Sequence, residues 1–201
     1  MELSLKHTVS VVAWLLVAAA VTQAVYTGMY AAEMTPPRQL LWGTEGFLFV
    51  MLGAFAGAAM AQAKGLHLAW SAILGAAILN VVQVGVGLTM FGPFREVAQA
   101  VPEAAPAASG VVAFSFMVYN AAKVLLALAL IVVGLARASE GAKALGWISA
   151  VVGAFALVTN ALSMAMGRDF AGELPLAGGS GVLATALLAA CLFTLSFGDD
   201  T

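Results

Sequence analysis

Lys123 is the residue best equipped for chemistry in this chain, and its surroundings make it conspicuous. Thirteen uncharged residues precede it, Gly110 to Ala122, and thirteen follow it, Val124 to Ala136. A run of that length crosses a bilayer, so Lys123 falls near the midplane. An ammonium there costs at least ~2.5 kcal/mol unless it snorkels, pairs or meets water. Asn120 and Met117 lie one and two turns earlier and share its helical face, which is expected to look inward. An ammonium beside an amide in a low-dielectric interior suits an anion or a carbonyl oxygen.

Other polar residues fall at a matching depth: Gln23 and Tyr26 on the first apolar run, Glu45 on the second, Asn80 and Gln83 on the third, and Asn160 on the fifth. Together with Lys123 and Asn120 they predict a polar pocket open to the outer face. Glu45 is the acid placed to neutralise Lys123, yet their Cα atoms differ in depth by roughly 10 Å at the rise of an α-helix. A direct pair therefore needs helix offset, bending or a bridging water; if the second helix begins only at Gly46, Glu45 is interfacial. The plainer reading of Asn80, Gln83 and Asn160 is hydrogen bonding between helices, and that of Lys123 is a clamp holding the bundle.

Few other groups invite chemistry. His7 and His67 fall at run ends, outside the helical interior where a membrane haem takes its axial ligands. The single Cys191 excludes an internal disulfide and a cysteine metal cage, and reads as a small packing residue. Zinc-protease, serine-triad and phosphate-loop patterns are absent. Methionines gather toward one face, Met29, Met34, Met90, Met117, Met164 and Met166, and Met164-x-Met166 has a spacing that suits Cu(I), though thioethers ordinarily fill irregular apolar gaps. No metal or cofactor is called for. A net charge of −2 with no basic or acidic block gives nucleic acid nothing to bind.

The elements that must position these residues are membrane helices. Of 201 residues 63% are hydrophobic and 9% charged, and the mean hydropathy is +1.02, well beyond a soluble domain. Six apolar runs cover residues 8–32, 40–62, 66–91, 110–136, 144–167 and 177–197. Each is long enough for a span, and hydrocarbon demands that backbone groups be satisfied within the segment, so the runs predict an all-α integral membrane bundle in a single polytopic domain. The first run also resembles a signal peptide, with Lys6 before it and Ala18, Ala19 and Ala20 within it, but it continues too far for a signal core and is expected to be retained as a span. Trp14, Trp42, Trp70, Trp147 and Tyr30 suit aromatic belts near the run ends.

Lys6, Lys64, Arg137 and Lys143 lie at one end of the bundle; Arg38, Arg95 and Arg168 lie at the other with Glu33, Glu96, Glu103, Asp169 and Glu173. This bias places both termini in the cytoplasm and the chain in the plasma (inner) membrane. Residues 92–109, holding Pro93, Pro102 and Pro106, are expected to stay extended or only briefly helical as a linker. On either side of it, 44–94 and 119–170 resemble parallel repeats of a helical hairpin. Ala61-Gln62-Ala63-Lys64-Gly65 with Trp70, Ser71 and Gly75 matches Ala136-Arg137-Ala138 with Glu140, Gly141, Trp147, Ser149 and Gly153, and chance similarity between Ala/Gly/Val-rich helices is the rival. Gly53/Gly57, Ser71/Gly75 and Ser149/Gly153 are small-residue pairs suited to close helix packing, within the chain or at a homodimer seam.

Three functions follow in order. The first is binding or translocation of a small polar or anionic solute in the Lys123 pocket. The second is a non-catalytic accessory or structural subunit that packs in a larger membrane complex or a homo-oligomer. The third is a membrane enzyme acting on a lipid or quinone through Lys123 and Glu45 alone, so no catalytic residue is assigned.

Overall fold

The computed structural model describes residues 3–167, 170 and 175–195. They form helices α1 (Leu5–Ala31), α2 (Arg38–Gln62), α3 (His67–Thr89), α4 (Phe91–Ala100), α5 (Ala105–Ser139), α6 (Lys143–Met166) and α7 (Leu176–Phe193), with a 3₁₀ turn at Pro102–Ala104 between α4 and α5. Among the described residues no strand occurs. Among the described residues six helices are long and apolar enough to cross a membrane, and the chain is a multi-pass membrane protein of the all-α class.

The polar loops are short because the apolar runs leave them little sequence. Pro36 and Pro37 end the first connection, and α2 starts at Arg38, two residues ahead of its apolar run. Glu45 is thereby two turns inside a helix and buried, so α2 does not begin at Gly46 as the interfacial alternative required. Leu66 adopts a left-handed conformation, φ 59°, to turn α2 into α3. Ser196 and Phe197, expected at the end of the last span, lie outside the described residues, as do Arg168, Asp169 and Glu173.

Residues 92–109 depart from expectation. They are mostly helical: α4 takes up the first part, the 3₁₀ turn follows, and α5 begins at Ala105 instead of Gly110. All three prolines sit in first turns, Pro93 in α4, Pro102 in the 3₁₀ turn and Pro106 in α5. There the missing N–H would have had no helical acceptor, so proline starts a helix as readily as it ends one. α4 is the one strongly amphipathic helix. α5, with 35 residues, is about 52 Å long at 1.5 Å per residue and projects beyond the ~30 Å hydrocarbon layer.

The spans pack as a ring in the order α1, α2, α3, α5, α6, α7, with α7 returning to α1 and also touching α5. α1 is a full member of the ring: Val9, Val12, Ala13, Leu16 and Ala19 are buried at helical spacing. Trp14, Val21 and Val25 on its other face are exposed to the lipid side. Both faces are apolar because lipid tails are as apolar as the core, so inside and outside differ in side-chain size and polar content more than in hydrophobicity. Six crossings return Phe193 to the end where α1 begins, and its ring meets Trp14 at 5.0 Å between centroids. The opposite end, carrying the α1–α2 connection and α4, is called the α4 end below.

Glycines set the closest approaches. A Cβ on Gly146 would stand 2.4 Å from the Ala138 nitrogen and 2.5 Å from the Gly134 carbonyl oxygen, and one on Gly153 would stand 3.0 Å from the Ala127 carbonyl oxygen. These contacts join α5 to α6 backbone to backbone. Gly75, equated with Gly153 by the repeat, looks toward Leu125 of α5 and not toward α2 of its own hairpin. The likeness of the two hairpins therefore does not extend to the neighbours of these two glycines.

Candidate functional site

Lys123 is fully buried, at 0% exposure. It stands on the inward face of α5 with Val118, Asn120, Ala122, Leu126 and Ala127. Its Nζ donates to Gln23 Oε1 on α1 at 2.5 Å and to Thr185 Oγ1 on α7 at 3.2 Å, and it lies 5.3 Å from the centre of the Tyr119 ring. An ammonium has three donors; two are used, and the ring face supplies further attraction for the cation. Thr185 gives its own hydrogen to the Gly181 carbonyl at 2.7 Å, which leaves its oxygen free to accept. The lysine stem runs past Gly181, where a Cβ would come within 2.9 Å of Cγ and Cδ. Glycine at 181 makes room for the stem, and threonine one turn on receives the charge.

Glu45 completes the group without touching the lysine. Its carboxylate interacts electrostatically with Lys123 and through a side-chain interaction with Gln23. Among the described residues the ion pair within 4.0 Å joins Arg137 and Glu140 instead. With Oε1 committed to Lys123, the Gln23 amide turns Nε2 toward the acid, the orientation its two neighbours require. Nε2 nevertheless lacks a partner in full hydrogen-bond geometry and is buried. A glutamine side chain thus stands between the two charges.

The remaining predicted residues separate from this group. Asn120 Nδ2 donates to the Phe116 carbonyl at 2.9 Å and to Ser163 Oγ on α6 at 3.2 Å. Gln83 Nε2 donates to Ser115 Oγ on α5 at 3.4 Å. Asn160 bonds the Ala156 and Ala177 carbonyls at 2.8 and 3.1 Å. Among the described residues Asn80 bonds only its own helix, at Ala76, and Oδ1 of both Asn80 and Asn160 has no partner. Tyr26 belongs to an aromatic layer beside Trp42, with centroids 5.3 Å apart. Met117 is not on an inward face: it is 44% exposed, because a position six residues from Lys123 has rotated well away from it on a 3.6-residue helix.

The expected opening onto Lys123 is not seen among the described residues, where its side chain is fully buried. Two surface concavities, of about 280 and 330 Å³, are lined by apolar residues, one by Pro93, Phe94 and Val97 under α4 and the other by Phe49, Gly53 and Ala77 between α2 and α3. Neither touches Lys123. Sequence reasoning missed Thr185 and Tyr119. Tyr119 carried a signal, since position 119 lies four residues before Lys123 on the same face; Thr185 had none until α7 was placed beside α5. No protein-family model matches the chain, and neither a curated protein nor a solved structure is significantly similar to it.

Proposed function

We propose that the Lys123 group is a closed binding site for a small solute bearing an anionic or carbonyl oxygen, and that the chain is a membrane binder or carrier. The supporting observation is a fully buried cation with one of its three donors unused among the described residues, Lys123 bonded to Gln23 and Thr185. An incoming oxygen would take the third N–H and answer the ammonium, whose burial otherwise costs roughly 2.5–3.5 kcal/mol. Cohesion alone does not require a charge here. Neutral bonds already join α1 to α2 (Thr8 to Gln62), α3 to α5 (Gln83 to Ser115), α5 to α6 (Asn120 to Ser163) and α6 to α7 (Thr159 to Ser180).

The test is a panel of small carboxylates, inorganic anions and carbonyl compounds, read by thermal shift of the purified protein. A compound that stabilises the natural chain should give no shift with Lys123→Met. A shift kept by that variant, or a panel with no stabiliser at all, overturns the proposal. The same neutral bonds favour a second reading, a packing subunit of a larger membrane complex or homo-oligomer, and a stoichiometric companion retained through mild detergent would support it.

The basic residues Lys6, Lys64 and Lys143, with Arg137, gather at the end opposite α4, which supports a cytoplasmic location for that end and for both termini in an inner membrane. Cysteines introduced at Gly65 and Gln99 should be labelled by an impermeant reagent from opposite sides, Gln99 from outside the cell.

A further inference from the structure

One turn toward the α4 end from the Lys123 group lies a layer of different chemistry. Trp42 is one turn before Glu45 on α2, and Tyr26 is one turn after Gln23 on α1. The Trp42 ring meets Tyr26 at 5.3 Å and Phe91, the first residue of α4, at 5.8 Å edge to face. The Arg38 guanidinium sits 5.6 Å from the centres of both the Trp42 and Phe91 rings. Trp42 is only 9% exposed, and Glu45 behind it 6%.

The seat of this indole is made by a missing side chain. A Cβ added at Gly87 of α3 would fall 2.1 Å from Trp42 Cζ3 and 2.6 Å from Cε3. The ring therefore occupies the space over Gly87, one helical turn nearer the α4 end than Glu45. Tryptophan suits such a place: it is large and rigid, with two side-chain torsions to change, and packing together with the cation over its face holds it closed. Below Lys123 the inward side chains of α5 are Leu126, Ala127, Leu130 and Val133, all buried and apolar.

We infer that Trp42 is the gate of the Lys123 group, seated on Gly87 and latched by Arg38, and that solute enters from the α4 end when the indole leaves its seat. The inference rests on the reading of that group as a solute site, but access can be measured without any solute. In a chain with Cys191→Ala and Glu45→Cys, an impermeant methanethiosulfonate supplied from the α4 side of proteoliposomes should label residue 45 slowly. Adding Trp42→Ala should raise the rate by about tenfold or more, because protection then no longer depends on a local opening.

Gly87→Ala, which leaves the indole intact but displaces it, should raise the rate in the same direction. Reagent supplied from the other side should label none of these chains, which separates opening of a gate from general loosening of the bundle. Fast labelling with Trp42 in place, equal rates with and without it in folded protein, or equal gains from both sides would each overturn the gate. None of these outcomes bears on whether Lys123→Met loses a ligand, so the two ideas fail separately.

Discussion

Two regions of this bundle, the Lys123 group and the α5–α6 seam, are held together by different means. Toward the α4 end, α1, α2, α5 and α7 meet through specific polar groups, with Lys123 bonded to Gln23 and Thr185 and Glu45 beside the amide. Toward the other end, α5 and α6 meet through the absence of side chains, where Gly134, Gly146 and Gly153 bring backbone against backbone. Lipid supplies no hydrophobic drive between helices, so contact must come from close packing or from hydrogen bonds. The glycine seam tolerates no added atom.

The largest effect should come from the seam. Gly146→Ala puts a carbon against the Ala138 nitrogen and the Gly134 oxygen, backbone atoms that cannot turn aside. A loss of about 3 kcal/mol is expected in mixed-micelle unfolding, and a loss under about 1 kcal/mol would mean that the seam opens easily and the contrast is false.

Next comes the charge. Lys123→Met should cost about 2 kcal/mol, the size of a charge-assisted hydrogen bond, since the bonds to Gln23 and Thr185 are lost and Glu45 is left without its counter-charge. Glu45→Gln added to it should recover at least half, a coupling that a double-mutant cycle measures. Independent, additive losses would separate the acid from the lysine and break the group apart.

Smaller still is the neutral bond between α5 and α6. Asn120→Ala and Ser163→Ala should couple by about 0.6 kcal/mol, the size usual for a hydrogen bond between membrane helices. A coupling as large as that of the charged group would erase the distinction between glue and site. The smallest effect is expected at Gly57, where an added Cβ meets nothing within 4 Å. Gly57→Ala should change stability by less than about 0.5 kcal/mol and leave the oligomeric state alone. Dissociation of a dimer in that variant would instead make the Gly53/Gly57 face an interface between copies.

Much of this was readable in advance, for particular reasons. Lys123 declared itself because a cation amid 26 uncharged residues has nowhere to be cheaply placed. Gln23 and Glu45 were found by depth, a coordinate that helical rise supplies along the chain. Azimuth is harder: Asn80, Gln83, Asn120 and Asn160 sit at suitable depths but face other helices, and they form local or pairwise bonds. The amphipathic pattern that fixes rotation in a soluble helix is missing when both faces are apolar. The helical course of residues 92–109 is hidden in the sequence because proline both breaks and starts helices, and Pro93, Pro102 and Pro106 all stand in first turns.

By itself the sequence determined the bilayer as solvent, six spans and a lysine held among them, since each follows from the transfer of residues into hydrocarbon and the length of chain that crosses it. Which helices adjoin, and hence that Thr185 receives the ammonium, that Gln23 bridges to Glu45 and that Trp42 lies over Gly87, was decided by tertiary structure. Those contacts depend on the rotation of each helix about its axis, and for helices apolar on every side rotation is fixed by packing against neighbours.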